Sequence, residues 1–108
     1  MVNPWAGEAA LTIDGQRQVL KLTLGALAEL EAALGADSLV ALAERFESGA
    51  FSSRDILAVI VAGLRGGGWR GSAGDLATAE ISGGPMQAAR CAAELLARAF
   101  HIPEAHVE

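Results

Sequence analysis

Few residues in this chain carry reactive side chains, and their spacing argues against catalysis. Gly66, Gly68 and Gly71 satisfy the pattern G-x-G-x-x-G within Arg65-Gly-Gly-Gly-Trp-Arg-Gly. A dinucleotide loop needs a strand before those glycines and a phosphate-facing helix after them. Here a helical pattern precedes them, so the match is accidental, and no Lys-Ser/Thr pair follows to make a phosphate loop. Arg65, Trp69 and Arg70 have the chemistry to clamp an anion or stack on a partner, although a plain surface loop also explains them. His101, Glu104, His106 and Glu108 carry metal-ligating atoms. They fall in a terminal tail without the i, i+4 helical spacing that would converge two ligands, so no metal site is expected. Cys91 has no histidine near it and sits among alanines, which reads as a small buried or half-buried side chain rather than a nucleophile. With no tyrosine in the chain and both histidines in the tail, only carboxylates remain for general acid–base work. Glu29 and Glu31 project to different sides of a helix and cannot act as a pair; Glu31 is expected to cap or to pair with Lys21 or Arg45. The expectation is a binding protein, not an enzyme, with no cofactor.

Composition narrows the class further. The 108 residues suit a single domain, and 52% apolar residues build a modest core because much of that fraction is alanine. Mean hydropathy is +0.34. The longest apolar run, Ile56–Gly63, nevertheless falls well short of the roughly 20 residues that span a bilayer. The start, Met-Val-Asn-Pro-Trp, lacks the basic and apolar regions of a secretory signal. One cysteine leaves no internal disulfide framework and fits a reducing cytoplasm. Net charge of -5 argues against a general nucleic-acid binder, which needs cations to neutralise phosphates.

The hydrophobic pattern orders the elements. Ala9–Ile13 and Gln16–Leu24 flank Asp14-Gly15, a strong signal for a two-residue hairpin turn. Pairing Ile13 with Gln16 puts Ala9, Leu11, Ile13, Leu20 and Leu22 on one apolar face and sets Glu8 opposite Lys21. At Leu22–Gly35 alternation gives way to helical spacing. Thr23 is a plausible N-cap, Leu27, Leu30 and Leu34 a buried stripe, and Gly35 a stop. Asp37 or Ser38 caps a second helix with Leu39, Leu42, Ala43 and Phe46 on one face, stopped by Gly49. Ser52 with Asp55 opens a third helix that is apolar on nearly all sides and therefore central. A glycine-rich loop, Arg65–Gly74, leads to a short fourth helix over Asp75–Ile81. Pro85 starts a fifth running to about Phe100, with Arg90, Glu94 and Arg98 as a charged row. The fold class is α+β, mostly α: an N-terminal β-hairpin over 8–24, packed on a bundle of four to five short helices over 24–100, and a flexible tail over 101–108.

Two features suggest where a partner binds. A lone hairpin leaves two strand edges, to be covered by loops or offered to another chain. On the last helix Met86, Ala89, Ala93, Leu96 and Phe100 form one stripe for the core. Ala88, Cys91, Ala92, Leu95 and Ala99 extend the apolar arc beyond what one contact needs. Those five, with Trp69 and Arg70, are the candidate partner surface; the alternative is that the arc packs inside the domain on two neighbours. If the surface is free, Leu95→Glu or Ala92→Glu weakens binding and leaves the domain folded.

At Gly7-Glu8, Asp14-Gly15 and the run LTLGALAELEAALG, the chain resembles the small tail protein of alphaproteobacterial gene transfer agents, phage-derived particles that package host DNA. The likeness continues through SLVALAERFESGAFSSRDILAVIVAGLRGGG to LLARAF and is weakest over Trp69–Gly84. Because these landmarks are apolar, its specificity rests on their order and spacing. The family is similar to phage tail assembly chaperones, though its members are also labelled tail tube proteins. The resemblance implies a cytoplasmic factor that coats the tape measure protein, whose long apolar helices would otherwise aggregate, and brings tail tube subunits to it. It implies neither nucleic acid nor membrane as a partner, and allows a homo-oligomer. It carries no catalytic motif. The Arg-Gly-Glu common near the family's start is Ala6-Gly7-Glu8 here, so no role for that arginine carries over. A structural subunit of the tail tube and a small regulatory adaptor are the competing expectations.

Overall fold

The computed structural model describes residues 7–34 and 39–99. The expected helix boundaries at Gly35, Asp37 and Ser38, the stripe residue Phe100 and the tail with its His/Glu set lie outside the described residues. In chain order the elements are β1 (Glu8–Ile13), β2 (Gln16–Lys21), α1 (Leu24–Leu34), α2 (Leu39–Ser48), α3 (Ser53–Gly66), α4 (Ala73–Ala77) and α5 (Gly84–Ala99). This is the α+β, mostly α arrangement that the sequence pattern implies.

Asp14 and Gly15 both take positive φ, 51° and 80°, as a type I′ turn requires. The register follows: Ile13 faces Gln16, Ala9 faces Leu20 and Glu8 faces Lys21. Ala9, Leu11, Ile13 and Leu20 are buried on the inner face. The second strand stops at Lys21, earlier than the alternation suggests, because Thr23 already caps α1: the Ala26 N–H donates to Thr23 Oγ1 at 3.1 Å.

Between non-hydrogen-bonded pairs, alternate backbone groups of a hairpin point away from the partner strand and need another acceptor or donor. Along β1 the chain itself supplies them. The Ser82 N–H donates to the Thr12 carbonyl at 3.0 Å, and Ile81 bridges antiparallel to Ile13. The Arg98 guanidinium reaches the Glu8 carbonyl at 2.6 Å. At the turn, the Asp14 N–H donates to the Glu80 carbonyl at 2.8 Å while the Glu80 N–H donates to Asp14 Oδ1 at 2.9 Å. This pairing shortens the fourth helix. It begins at Ala73, capped reciprocally by Ser72 and Asp75, and releases the chain after Ala77, so that 80–82 lie along β1 instead of completing a helix to Ile81.

Helix α3 is the central element, in contact with α1, β2, α4 and α5. Its capping box is complete: the Asp55 N–H donates to Ser52 Oγ at 3.1 Å and the Ser52 N–H to Asp55 Oδ2 at 2.9 Å. Val59, Ile60, Ala62, Gly63 and Leu64 are buried, with Ile56, Leu57, Ala58 and Val61 packed at the margin. The helix runs on through Gly66, into what its composition marks as loop, because β2 lies against its end. A Cβ at Gly66 would overlap the Lys21 carbonyl oxygen, and one at Gly67 the Val19 carbonyl oxygen. These glycines therefore serve close backbone approach along the β2 edge, not phosphate binding.

Helix α2 ends in a Schellman turn, with Gly49 at φ 83° and the Ala50 N–H donating to the Arg45 carbonyl at 2.8 Å. Leu42 and Phe46 are its buried anchors. In α1 the buried pair is Ala26 and Leu30; Leu34 is only partly buried, so the inward stripe is rotated from the leucine spacing.

Candidate docking groove

Helix α5 decides which surface is left over, and its inward arc is rotated from its expected stripe: Leu96 is buried as expected, while Ala89 and Ala93 are only half-buried. Ala88, Cys91, Ala92 and Leu95 are buried together with Leu96. They pack toward β1 and α3, with Cys91 Sγ 3.9 Å from the Ala10 carbonyl oxygen. Met86, assigned to the core by spacing, is 72% exposed. The assignment of Ala88, Cys91, Ala92 and Leu95 to an exposed partner surface is therefore corrected. Their small side chains let α5 lie close to the hairpin and to α3, where a Cβ at Gly63 would come within 2.8 Å of Leu95 Cδ1. Ala99 is half-buried and stays at the margin. The alternative reading, an arc that packs on two neighbours inside the domain, describes the fold.

The rotation leaves Ala93 half-buried and Ala97 exposed, and with α2 they form an open groove of about 520 Å³. Its lining is Val40, Ala43 and Phe46 from α2, and Ala93, Leu96 and Ala97 from α5. Glu44 and Glu47 stand on the α2 rim, both exposed. Val40 is 61% exposed, and the floor is held from behind by Leu42, Leu96 and a Phe46–Phe51 stack with ring centroids 4.7 Å apart. The position of α2 against α3 is fixed by an ion pair that spacing does not reveal. Arg45 Nε and Nη2 donate to the two oxygens of Asp55 at 3.1 and 3.0 Å. A second apolar groove, of about 550 Å³, lies between α3, α4 and the start of α5, lined by Ile56, Leu57, Leu76, Ala79, Ile81 and Pro85 among others.

The glycine loop is less available than its composition suggests. The Trp69 N–H donates to the Leu64 carbonyl at 2.9 Å, and its ring, half-buried, packs against the core and over Gly71. Arg65 is engaged by Glu29, Nε to Oε1 at 2.9 Å, and reaches the Gly71 carbonyl at 3.4 Å. Arg70 is exposed and, alone of the three expected clamp residues, has no partner among the described residues. Glu31 pairs with neither expected cation; it is exposed, and Arg45 is taken by Asp55.

Burial, and after it the charge of Glu94, pushes the Cys91 thiol up to about 12 against the opposing pull of Arg98. A thiol held protonated at neutral pH is a poor nucleophile. Among the described residues no group of His, Cys, Asp and Glu side chains is arranged to hold a metal ion, and no helix is long and apolar enough to cross a membrane.

A family model described as "Phage tail tube protein, GTA-gp10" matches residues 6–102. No curated protein and no solved structure matches the chain.

Proposed function

This chain belongs to the phage tail tube protein family, GTA-gp10, and on that premise we propose that it is an assembly chaperone of a gene transfer agent tail. In this reading it binds the apolar helical segments of the tape measure protein in the host cytoplasm, keeps them from aggregating, and brings tail tube subunits to them. It is a binding protein that performs no chemistry of its own. The observation that carries the proposal is the apolar groove between α2 and α5, whose lining suits one more helix. Its walls combine small residues, Ala43, Ala93 and Ala97, with larger apolar groups at the floor, so a helix can approach closely.

The competing reading, a structural subunit of the tube, takes its support from the family's own description. A subunit that extended a sheet from copy to copy would need an open strand edge. Along β1 that edge is taken by Ser82, Ile81 and Arg98, and along β2 the end of α3 lies against the Val19 and Lys21 carbonyls. This favours the chaperone. Quantitative mass spectrometry of purified particles separates the two. A chaperone is absent or trace in the particle and co-purifies with the tape measure protein from cells; stoichiometric incorporation into the tube overturns the proposal.

A further inference from the structure

The groove between α2 and α5 has walls of different chemistry. On the α2 side, Glu44 and Glu47 are three residues apart, hence neighbours on one helix face, and both are exposed beside the apolar floor. Neither has an ion-pair partner among the described residues, whereas Asp55, Glu29 and Glu94 are each matched to an arginine. On the α5 side the wall is Ala93 and Ala97, one turn apart and uncharged. We infer that this groove takes an amphipathic helix of a partner protein whose apolar ridge is bordered on one side by lysine or arginine. The ridge packs between Ala93, Ala97 and Phe46, and the bordering cations meet Glu44 and Glu47.

The geometry limits the contact. Helix α2 has 10 residues, so a partner lying along it is engaged over about three turns, roughly 15 Å. Alanines on the α5 wall allow the short interaxial distances, about 8–10 Å, of closely packed helices. The two carboxylates also orient the partner, because reversing its direction or rotating it by half a turn places the cations against the uncharged α5 wall. Rim charges of this kind act mainly on selection and association rate and are weakened by salt. The inference rests on reading the protein as a binder of helical partners, and specifies the chemistry of the partner.

The test uses the full chain and two synthetic helical peptides with the same leucine ridge at i, i+3, i+4 and i+7. One carries lysine beside the ridge and the other glutamate at the same positions. Fluorescence anisotropy is expected to show the lysine peptide bound about tenfold more tightly, with the preference shrinking as salt is raised. The Glu44→Lys/Glu47→Lys variant, whose native circular dichroism is checked first, is expected to reverse the preference. Ala97→Trp, which fills the groove from an exposed position, is expected to weaken both peptides. Equal binding of the two peptides, or a preference untouched by the double variant, overturns the inference. Purified tape measure protein separates this from the functional reading. If it binds wild type and double variant alike, the groove assignment falls and the chaperone reading stands. If it fails to bind while the peptides show the reversal, the groove chemistry stands and the chaperone reading falls.

Discussion

Arg45 and Asp55 meet in a two-pronged ion pair, Nε to Oδ2 at 3.1 Å and Nη2 to Oδ1 at 3.0 Å, that ties α2 to the first turn of α3. The same Oδ2 accepts the Ser52 N–H at 2.9 Å. One carboxylate thus closes the capping box of the central helix and fixes the helix that forms one wall of the groove. Desolvation by burial pushes the Asp55 carboxyl up, but the hydrogen bond from Arg45, that from the Ser52 backbone and the Arg45 charge together hold it below its ordinary value.

Replacing Asp55 with alanine removes the N3 half of the capping box and the two-pronged pairing with Arg45, and is expected to cost about 2–4 kcal/mol. Asp55→Asn keeps an N3 hydrogen-bonding group and is expected to cost less. Urea denaturation of the two variants against wild type measures both. Because the folded carboxyl is lowered, its contribution is fully present above the unfolded value of 3.8 and is lost as pH falls through the folded value. Wild type should therefore lose more stability on acidification below 3.8 than Asp55→Asn does. Parallel pH profiles would remove the pair from the account.

Two glycine-to-alanine changes should have opposite signs. At Gly66 a Cβ would meet the Lys21 carbonyl oxygen, forcing α3 away from β2 at a cost of about 1–3 kcal/mol. At Gly25, in the first turn of α1, the nearest atom to a new Cβ is Thr23 Oγ1 at 3.9 Å and φ is ordinary. Gly25→Ala is expected to stabilise by about 0.5 kcal/mol through helix propensity and the unfolded chain. Thermal unfolding midpoints should move down and up respectively.

On α5 and α2, burial predicts which charge insertions the fold survives. Leu95 is 0% exposed between α3 and the hairpin, so Leu95→Glu is expected to abolish cooperative unfolding, and Leu95→Ala to cost about 2–5 kcal/mol. Val40→Glu, at the rim of the groove, should leave the circular dichroism spectrum and unfolding midpoint nearly unchanged. A stable, folded Leu95→Glu protein would show that α5 is not packed as described.

Cys91 should resist modification in the native state. Its thiol lies at 1% exposure, with burial pushing it up to about 12, so little thiolate exists at neutral pH and little of it is accessible. A disulfide-exchange reagent is expected to label it at the rate of local or global opening and to react at once in denaturant. Rapid stoichiometric labelling of folded protein would contradict this placement.

Local sequence determined the local elements. Asp14-Gly15 imposed the turn, and the period-two pattern imposed a register in which each one-residue slip would expose Leu11 and Leu20. Ser52 and Asp55 marked the start of α3, and its nearly all-round apolar surface marked it as central. These signals act between residues close in the chain, where geometry follows from a few torsions. The family likeness was legible for the same reason, since it rests on the order of such landmarks.

Tertiary structure decided what those elements face. The charged row Arg90, Glu94 and Arg98 marks one outward face of α5, but alanines and leucines occupy most of the remaining circumference, so their spacing fits more than one inward arc. The choice went to Ala88, Cys91, Ala92 and Leu95 because α5 must fit against the β1 edge and against Gly63 of α3, contacts about 80 and 30 residues away in sequence. The same long-range packing drew 80–82 onto β1, matched Arg45 to Asp55, and turned a glycine run that resembled a nucleotide loop into the place where α3 meets β2. The α2–α5 groove exists only as the remainder of those choices. A sequence specifies each helix's hydrophobic faces through its own turns, while which face is left for a partner depends on every other element having taken its place.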